Sequence, residues 1–163
     1  MSGTAHGSVQ VRPANAADLD VMAQMGTELA RLHHTFDAAR FMFADDSVQG
    51  YRWWFARELQ NPAACFYVAV VDQNIVGYLY GRLEEKNWNS LLDKHAALVD
   101  LFVLPSARQH GAGEALVQAF CAWADEKHAP RIVLSTATQN KAAQQFFSRL
   151  GFRSTMIEMT REA

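Results

Sequence analysis

The chain has 163 residues, of which 50% are apolar and 20% charged, and 15 basic against 17 acidic side chains give a formal net charge of −2. This size and composition predict a single globular domain over residues 9–163, after a flexible N-terminal tail over residues 1–8. The near-neutral charge excludes the global positive field that draws proteins to nucleic acid or anionic membranes. No apolar run approaches the roughly 20 residues that span a bilayer, so we expect neither nucleic acid nor a membrane as a partner.

The two cysteines and the start of the chain indicate a compartment. Cys65 and Cys121 lie inside apolar segments, and the opening "MSGTAHGS" lacks the cationic and apolar regions of a signal peptide. We therefore expect a reducing cytoplasm.

The first half of the chain predicts a strand, two helices and a hairpin. "VQVRP" alternates and ends at a proline, and apolar residues then recur at helical spacing from Asp18 to about His33. A second helix begins at Ser47 and is stopped by Asn61 and Pro62. "AACFYVAVV" and "IVGYLYGRL" are β-rich and only three residues apart, as in a hairpin.

The second half alternates strands and helices. The continuous apolar run "AALVDLFVLP" is typical of a covered strand, and a helix follows from about Gly111 to Lys127. After it come a strand in "RIVLST", a helix in "NKAAQQFFSRL" closed by Gly151, and a last strand in "FRSTMIEMT". The order β-α-α-β-β-β-α-β-α-β predicts an α/β fold with a mixed, mostly antiparallel central sheet and helices on both faces.

The segment "SARQHGAGEAL" places two glycines where a buried strand turns into a helix. Amide groups at a helix start lack partners within the helix and lie at the positive end of its dipole, so they attract anions. Gly111 and Gly113 let an anion approach the main chain, and Arg108 adds a cation at the rim. The segment is neither a P-loop nor a full dinucleotide fingerprint, and by itself it also fits a simple tight turn.

Two motifs together resemble the GCN5-related N-acetyltransferase family. "LFVLPSARQHGAGEAL" resembles its acetyl-CoA motif Q/R-x-x-G-x-G/A, and the later N-x-x-A-x-x-F-F-x-x-x-G-F resembles its second motif. The resemblance implies acetyl-CoA as co-substrate. Its diphosphate would rest on the glycine turn, and its pantetheine arm would lie along the preceding strand, which needs a bulge near Leu101 to Val103 and must separate from its neighbour. The coenzyme-binding residues implied are Leu101, Phe102, Val103, Arg108, Gln109, His110, Gly111, Ala112, Gly113, Asn140, Ala143 and Phe147.

Acetyl transfer to an amine needs a base, because the acceptor arrives mostly as an ammonium ion. Carboxylates and a histidine on or beside the central strands are candidates: Asp100, Glu84, Glu85 and His95. We favour Asp100, since polyamine acetyltransferases of the family resemble this chain with an acidic pair there, of which the first member is Val99 here. Asp100 could instead only order the sheet, and Glu84 and Glu85 could be solvated charges that attract a cation.

The general acid of many family members is missing. They carry a tyrosine where this chain has Phe147, so the leaving thiolate would take its proton from water or leave unprotonated, with Tyr78 or Tyr80 as a substitute donor. Neither cysteine has an activating base nearby in sequence, which favours direct attack in a ternary complex over an acetyl-cysteine intermediate. The alternative is a non-catalytic acyl-CoA-binding module of the same fold.

The acceptor and the oligomeric state follow less directly. Adjacent His33 and His34 project about 100° apart on a helix, so we expect a surface or substrate contact and no metal site. After Gly151 few residues remain for the family's two closing strands, so we expect a homodimer in which a second subunit covers that edge. Acids outnumber bases around the presumed acceptor mouth, which favours a cationic amine: Glu28, Asp37, Asp45, Asp46, Glu84 and Glu85 against Arg31 and Arg40.

Overall fold

A computed structural model describes residues 7–163, so most of the predicted N-terminal tail lies outside the described residues. No helix within this range is both long and apolar enough to cross a membrane. The regular elements are, in chain order, β1 (Gln10–Pro13), α1 (Leu19–Phe36), α2 (Ser47–Glu58), β2 (Ala64–Val71), β3 (Asn74–Glu84), β4 (His95–Val103), α3 (Ala112–Glu126), β5 (Ile132–Leu134) and α4 (Lys141–Arg149).

The five strands form one sheet in the order β1-β2-β3-β4-β5. The first four pair antiparallel, and β5 pairs parallel to β4. The predicted hairpin joins β2 to β3, and both of its central residues, Asp72 and Gln73, have positive φ, as a tight turn between twisted strands requires. The predicted α/β class with a mixed, mostly antiparallel sheet is confirmed.

Helices cover both faces of the sheet. On one face, Leu116 and Phe120 of α3 and Phe147 of α4 pack on β2 to β4. On the other, Met22 of α1 and Phe55 of α2 pack on the remaining side chains of β2 to β4. Tyr78, Tyr80 and Phe102 project from this second face. The buried core residues on it are Leu19, Met22, Met25, Phe55, Phe66, Val68, Tyr78, Tyr80 and Phe102.

A β-bulge in β4 turns Asp100 toward the α1 and α2 face. Tyr80 pairs with Asp100 but Gly81 pairs with Leu98, so Val99 is the extra residue. Because side chains alternate along a strand, the inserted residue moves Asp100 from the face of Leu98 to the face of Tyr80. We expected the bulge near Leu101 to Val103, and that position is wrong, because the bulge lies at Val99, opposite Gly81. The ring of Phe120 packs on Gly81 so closely that a Cβ at this position would clash with it.

Beyond this bulge, β4 loses its neighbour on one side. Pairing between β4 and β5 begins at Ala96 and Ile132 and ends at Leu98 and Leu134. From Val99 to Val103 the strand is paired only with β3, so its second edge carries backbone groups available to a ligand. The separation of the two strands that the resemblance requires is therefore present.

The predicted last strand, "FRSTMIEMT", is wrong: residues 152–163 form no helix or strand. Gly151 closes α4 with φ of 90°, and the amides of Gly151 and Phe152 bond to the carbonyls of Ser148 and Phe147. The segment then leaves the sheet, where it has no strand partner, and an ion pair joins its Glu158 to Arg40. An alternating pattern alone does not make a strand, because a strand must also pair with another strand, and this segment pairs with none of the five.

Candidate active site

The glycine turn forms the start of α3. Gly111 is the residue before the helix, and its φ is 84°. The first hydrogen bond of the helix runs from the amide of Ala115 to the carbonyl of Gly111 at 2.9 Å. The amides of Ala112, Gly113 and Glu114 therefore have no carbonyl of a preceding turn to bond. A Cβ built on Gly111 would meet no atom within 4 Å, so the turn is open on that side of Gly111.

Gly113 and Arg108 both contact neighbouring elements. A Cβ on Gly113 would lie 3.3 Å from the ring of Phe146, so this glycine leaves room for α4. The Nε of Arg108 donates to the carbonyl of Val103 at 3.0 Å, and its guanidinium lies 5.9 Å from the ring centre of Phe102. Arg108 is exposed, and it folds back over the end of β4.

The remaining coenzyme-binding candidates divide between two faces. Leu101 and Val103 pack toward α3 and α4, whereas the buried ring of Phe102 points to the opposite face, so only its backbone is available to the open edge. On α4, Asn140 caps the helix by accepting from the amide of Ala143 at 3.1 Å. Phe147 is buried against Phe152, with ring centres 5.5 Å apart.

Asp100 lies in a mostly apolar cluster at the bulge. The hydroxyl of Tyr78, itself fully buried, donates to its Oδ2 at 3.1 Å. Burial raises the pKa of Asp100 to about 6, while the hydrogen bond from Tyr78 acts in the opposite direction. A carboxylate with this pKa is ionised at neutral pH and close enough to it to take up a proton readily.

Tyr51 lies near Asp100, which the sequence did not indicate. Its ring packs against α1 at Gly26, where a Cβ would lie 2.8 Å from ring carbon Cδ1. Burial, and secondarily the charge of Asp100, raise the pKa of the Tyr51 hydroxyl to about 12. Only a glycine on the facing helix admits this ring, and nothing in the sequence links Gly26 to Tyr51.

The other proposed bases have different surroundings. Glu84 is ion-paired with Arg82, whose Nε donates to Oε1 at 2.6 Å, and Glu85 is exposed beyond the end of β3. His95 is buried, with Nδ1 2.9 Å from the carbonyl oxygen of Asp93. Of the four candidates, only Asp100 lies on the part of β4 whose second edge is free.

Tyr80 pairs with Asp100 across the two strands, but its hydroxyl bonds to a different carboxylate. Its hydroxyl donates to Oε2 of buried Glu58 at 2.8 Å. Burial raises the pKa of Glu58, but hydrogen bonds from Tyr80 and Asn61 and the charges of Arg57 and Arg82 outweigh burial and lower it. The two tyrosines proposed as substitute acids thus each donate to a carboxylate.

His33, His34 and one of the acids around the expected acceptor site already have partners within the protein. Nδ1 of His33 lies 2.8 Å from the carbonyl of Leu29, and Nδ1 of His34 lies 2.7 Å from that of Phe41. Within residues 7–163 no three His, Cys, Asp or Glu side chains are grouped as a metal site would need. Glu28 is paired with Arg31 at 3.4 Å, so this carboxylate is partly engaged within its own helix.

Two surface cavities lie away from Asp100 and the glycine turn. One of 480 Å³ is lined by Gln144, Gln145, Ser148, Arg149 and Ser154 on α4 and the segment after it. One of 290 Å³ lies where β1 and β2 meet the end of α2. The opening where β4 and β5 stop pairing belongs to neither cavity, and the free edge of β4 there suits an extended ligand that pairs with a strand.

Comparison with known proteins agrees with this geometry. A profile of the family described as acetyltransferase (GNAT) matches residues 28–152. An N-alpha-acetyltransferase of Sulfurisphaera tokodaii is 32% identical over 110 residues, a match covering 64% of this chain and 66% of the relative. An uncharacterized N-acetyltransferase of Methanocaldococcus jannaschii is 30% identical over 108 residues, covering 65% of this chain and 46% of the relative. The matches thus span about half to two thirds of the length of these relatives.

Among solved structures, the aminoglycoside N-acetyltransferase AAC(6')-Iy in complex with CoA is similar, with a TM-score of 0.80. The superposition covers 100% of this chain and 99% of that chain, at 18% sequence identity. At this identity the likeness shows the fold.

Proposed function

Because the chain belongs to the acetyltransferase (GNAT) family, we propose that it is an N-acetyltransferase that moves an acetyl group from acetyl-CoA to a primary amine. The observation that carries this proposal is the stretch of β4 from Val99 to Val103, which pairs with β3 on one side and has a free edge on the other. It holds Asp100 at its bulge and ends near the glycine turn. A pantetheine arm that pairs with this edge brings its thioester next to the carboxylate.

The residues divide the reaction between them. Asp100 removes the proton from the acceptor ammonium, the amine nitrogen attacks the thioester carbonyl, and amides on the free edge of β4 stabilise the oxyanion that forms. The carbon–sulfur bond then breaks, the nitrogen gives its remaining excess proton to water as the amide forms, and CoA leaves as a thiolate that takes up a proton from water. A thiol with a reference pKa of about 8.5 is a tolerable leaving group, so Phe147 does not prevent the reaction.

Direct attack in a ternary complex is favoured by both cysteines. They are unpaired, and burial raises the pKa of Cys65 to about 12 and also raises the pKa of Cys121. A thiol held protonated is a poor nucleophile, which argues against an acetyl-cysteine intermediate. Two unpaired thiols also favour the cytoplasm as the compartment.

The acceptor that we propose is a cationic amine: a polyamine, an aminoglycoside-like small molecule, or an amine of a peptide or protein. The relative from S. tokodaii is an N-alpha-acetyltransferase and the similar structure is an aminoglycoside N-acetyltransferase, so both classes belong in a first panel. The second candidate, a non-catalytic acyl-CoA-binding module, is favoured by Phe147, which leaves the family's usual acid position without a hydroxyl.

Release of free thiol from acetyl-CoA, measured across this amine panel, tests the proposal. We expect acceptor-dependent CoA release with at least one amine class. Calorimetric binding of CoA without release for any acceptor would instead support the binding module, and no CoA binding would contradict both.

We also propose a homodimer in which a second copy covers the exposed apolar side chains of the C-terminal segment. Met156, Ile157 and Met159 are 82%, 79% and 89% exposed, and the outer edge of β5 is unpaired. Buried in an interface, such side chains contribute strongly to association. Sedimentation velocity at micromolar concentration should show a dimer that Ile157→Asp dissociates, whereas a monomeric wild type would refute the proposal.

A further inference from the structure

Thr136 has a hydroxyl with no hydrogen-bond partner. Within the part of the chain that the structure describes, it is the buried side-chain polar atom that lacks one. An unsatisfied buried hydroxyl costs free energy, because the water it lost is not replaced by another partner. Such an atom in a folded chain needs a reason.

Its position supplies one. Thr136 is two residues beyond Leu134, at which pairing of β5 with β4 ends. The facing part of β4 is the bulge at Val99, from which the unpaired edge continues. Thr136 therefore lies at the head of the opening between the two strands, on the wall opposite Asp100.

Two polar side chains of the following segment bond to other groups. The amide of Gln144 donates to the carbonyls of Ala137 and Thr138 at 2.9 and 3.1 Å, and Asn140 caps α4. The neighbouring hydroxyl of Thr138, by contrast, is exposed and donates to Gln139 at 3.0 Å.

Thr136 as a residue is only half-buried, although its hydroxyl is enclosed. Rotation about its Cα–Cβ bond moves the hydroxyl of a threonine from one staggered position to another. Rotation of this kind is enough to turn the hydroxyl toward the cleft without a change in the backbone.

We propose that Thr136 is a coenzyme-binding residue whose hydroxyl bonds an amide of the pantetheine arm. This inference rests on the proposed function, which places acetyl-CoA between β4 and β5. An amide offers both a donor and an acceptor, and a hydroxyl matches either. The bond forms only when the ligand is present, which accounts for an unsatisfied group in the free protein.

Calorimetric titration with CoA and thermal unfolding of the free protein test this together. Thr136→Val keeps the shape and removes the hydroxyl, so we expect CoA to bind about 3- to 10-fold more weakly. The unfolding temperature of the free variant should stay the same or rise, because an unsatisfied group has been removed. Thr136→Ser, which keeps the hydroxyl, should bind CoA nearly as wild type does.

Thr138→Val is the matched control, since it removes an exposed hydroxyl from the same segment and should change neither measurement. Binding of 3′-phosphoadenosine 5′-diphosphate, the nucleotide part of CoA, should be equal in wild type and Thr136→Val. Wild-type CoA affinity in Thr136→Val, an equal loss for the nucleotide alone, or a lower unfolding temperature would each overturn the inference. Absence of CoA binding by the wild type would overturn the proposed function as well.

Discussion

Replacement of Asp100 by asparagine should lower kcat/KM for amine acetylation at pH 7 by about 100-fold or more, the usual contribution of a general base. The amide is nearly the same size as the carboxylate and can still accept the hydrogen bond from Tyr78. The variant should therefore fold, and the loss should report the missing base. The rate of thiol release under limiting amine gives the measurement.

The pH profile identifies the group. Because burial raises the pKa of Asp100 to about 6, wild-type kcat/KM should rise with pH and level off above a midpoint near 6. Asp100→Asn should lack this inflection and recover part of its rate at high pH, where more of the acceptor is already deprotonated. An unchanged profile in the variant would remove Asp100 as the base.

The same substitution should stabilise the protein at neutral pH. The folded-state pKa of Asp100 lies above its unfolded value of about 3.9, so its contribution to stability is complete below pH 4 and is lost as pH rises through about 6. An uncharged asparagine avoids this loss, worth about 2–3 kcal/mol at pH 7. Thermal unfolding should show the variant more stable than wild type at pH 7.5, with a smaller difference at pH 4.

Companion variants separate Asp100 from its neighbours. Tyr78→Phe removes a hydrogen bond that lowers the pKa of Asp100, so the inflection should move to higher pH. Glu84→Gln and Glu85→Gln should keep it near pH 6, since Glu84 is paired with Arg82 and Glu85 is exposed. Loss of the inflection in either glutamine variant would assign the base to that residue instead.

The sequence predicted the fold where local signals and neighbours agree. Periodicity, the Asp72–Gln73 turn and the buried run of β4 each correspond to one element with short-range causes. The last strand failed because pairing is a property of two segments, and the sequence of one does not show whether an edge lies beside it. The position of the bulge failed for a related reason, since it depends on how Gly81 and Val99 meet across two strands.

The site was predicted unevenly for the same reason. The glycine turn is contiguous in sequence, so its place at the helix start could be predicted, although the role of Gly113 depends on Phe146 of a distant helix. Tyr51 and Thr136 carry no motif, and their significance arises only from what surrounds them in the fold. The resemblance identified the cleft, and the packing distinguishes the residues within it.

Replacement of Gly111 by aspartate should weaken CoA binding by at least about 100-fold, because it places a carboxylate against the diphosphate at a distance where like charges repel strongly. The variant should still fold, since no atom lies within 4 Å of the added Cβ and aspartate enters the strained backbone region at φ of 84° more readily than most residues. Added salt should reduce the effect. Calorimetric titration with CoA at two ionic strengths measures both quantities.

Gly151→Asp provides the matched control for this experiment. Gly151 has φ of 90° and equally open surroundings, but it closes α4 away from the glycine turn. Both variants should lose a similar amount of stability, roughly 1 kcal/mol, from the strained backbone, whereas only Gly111→Asp should lose CoA affinity. Gly111→Asn separates bulk from charge and should show a smaller loss that does not depend on salt. If Gly111→Asp binds CoA as Gly151→Asp does, the diphosphate is held elsewhere, and the amides at the start of α3 do not form its site.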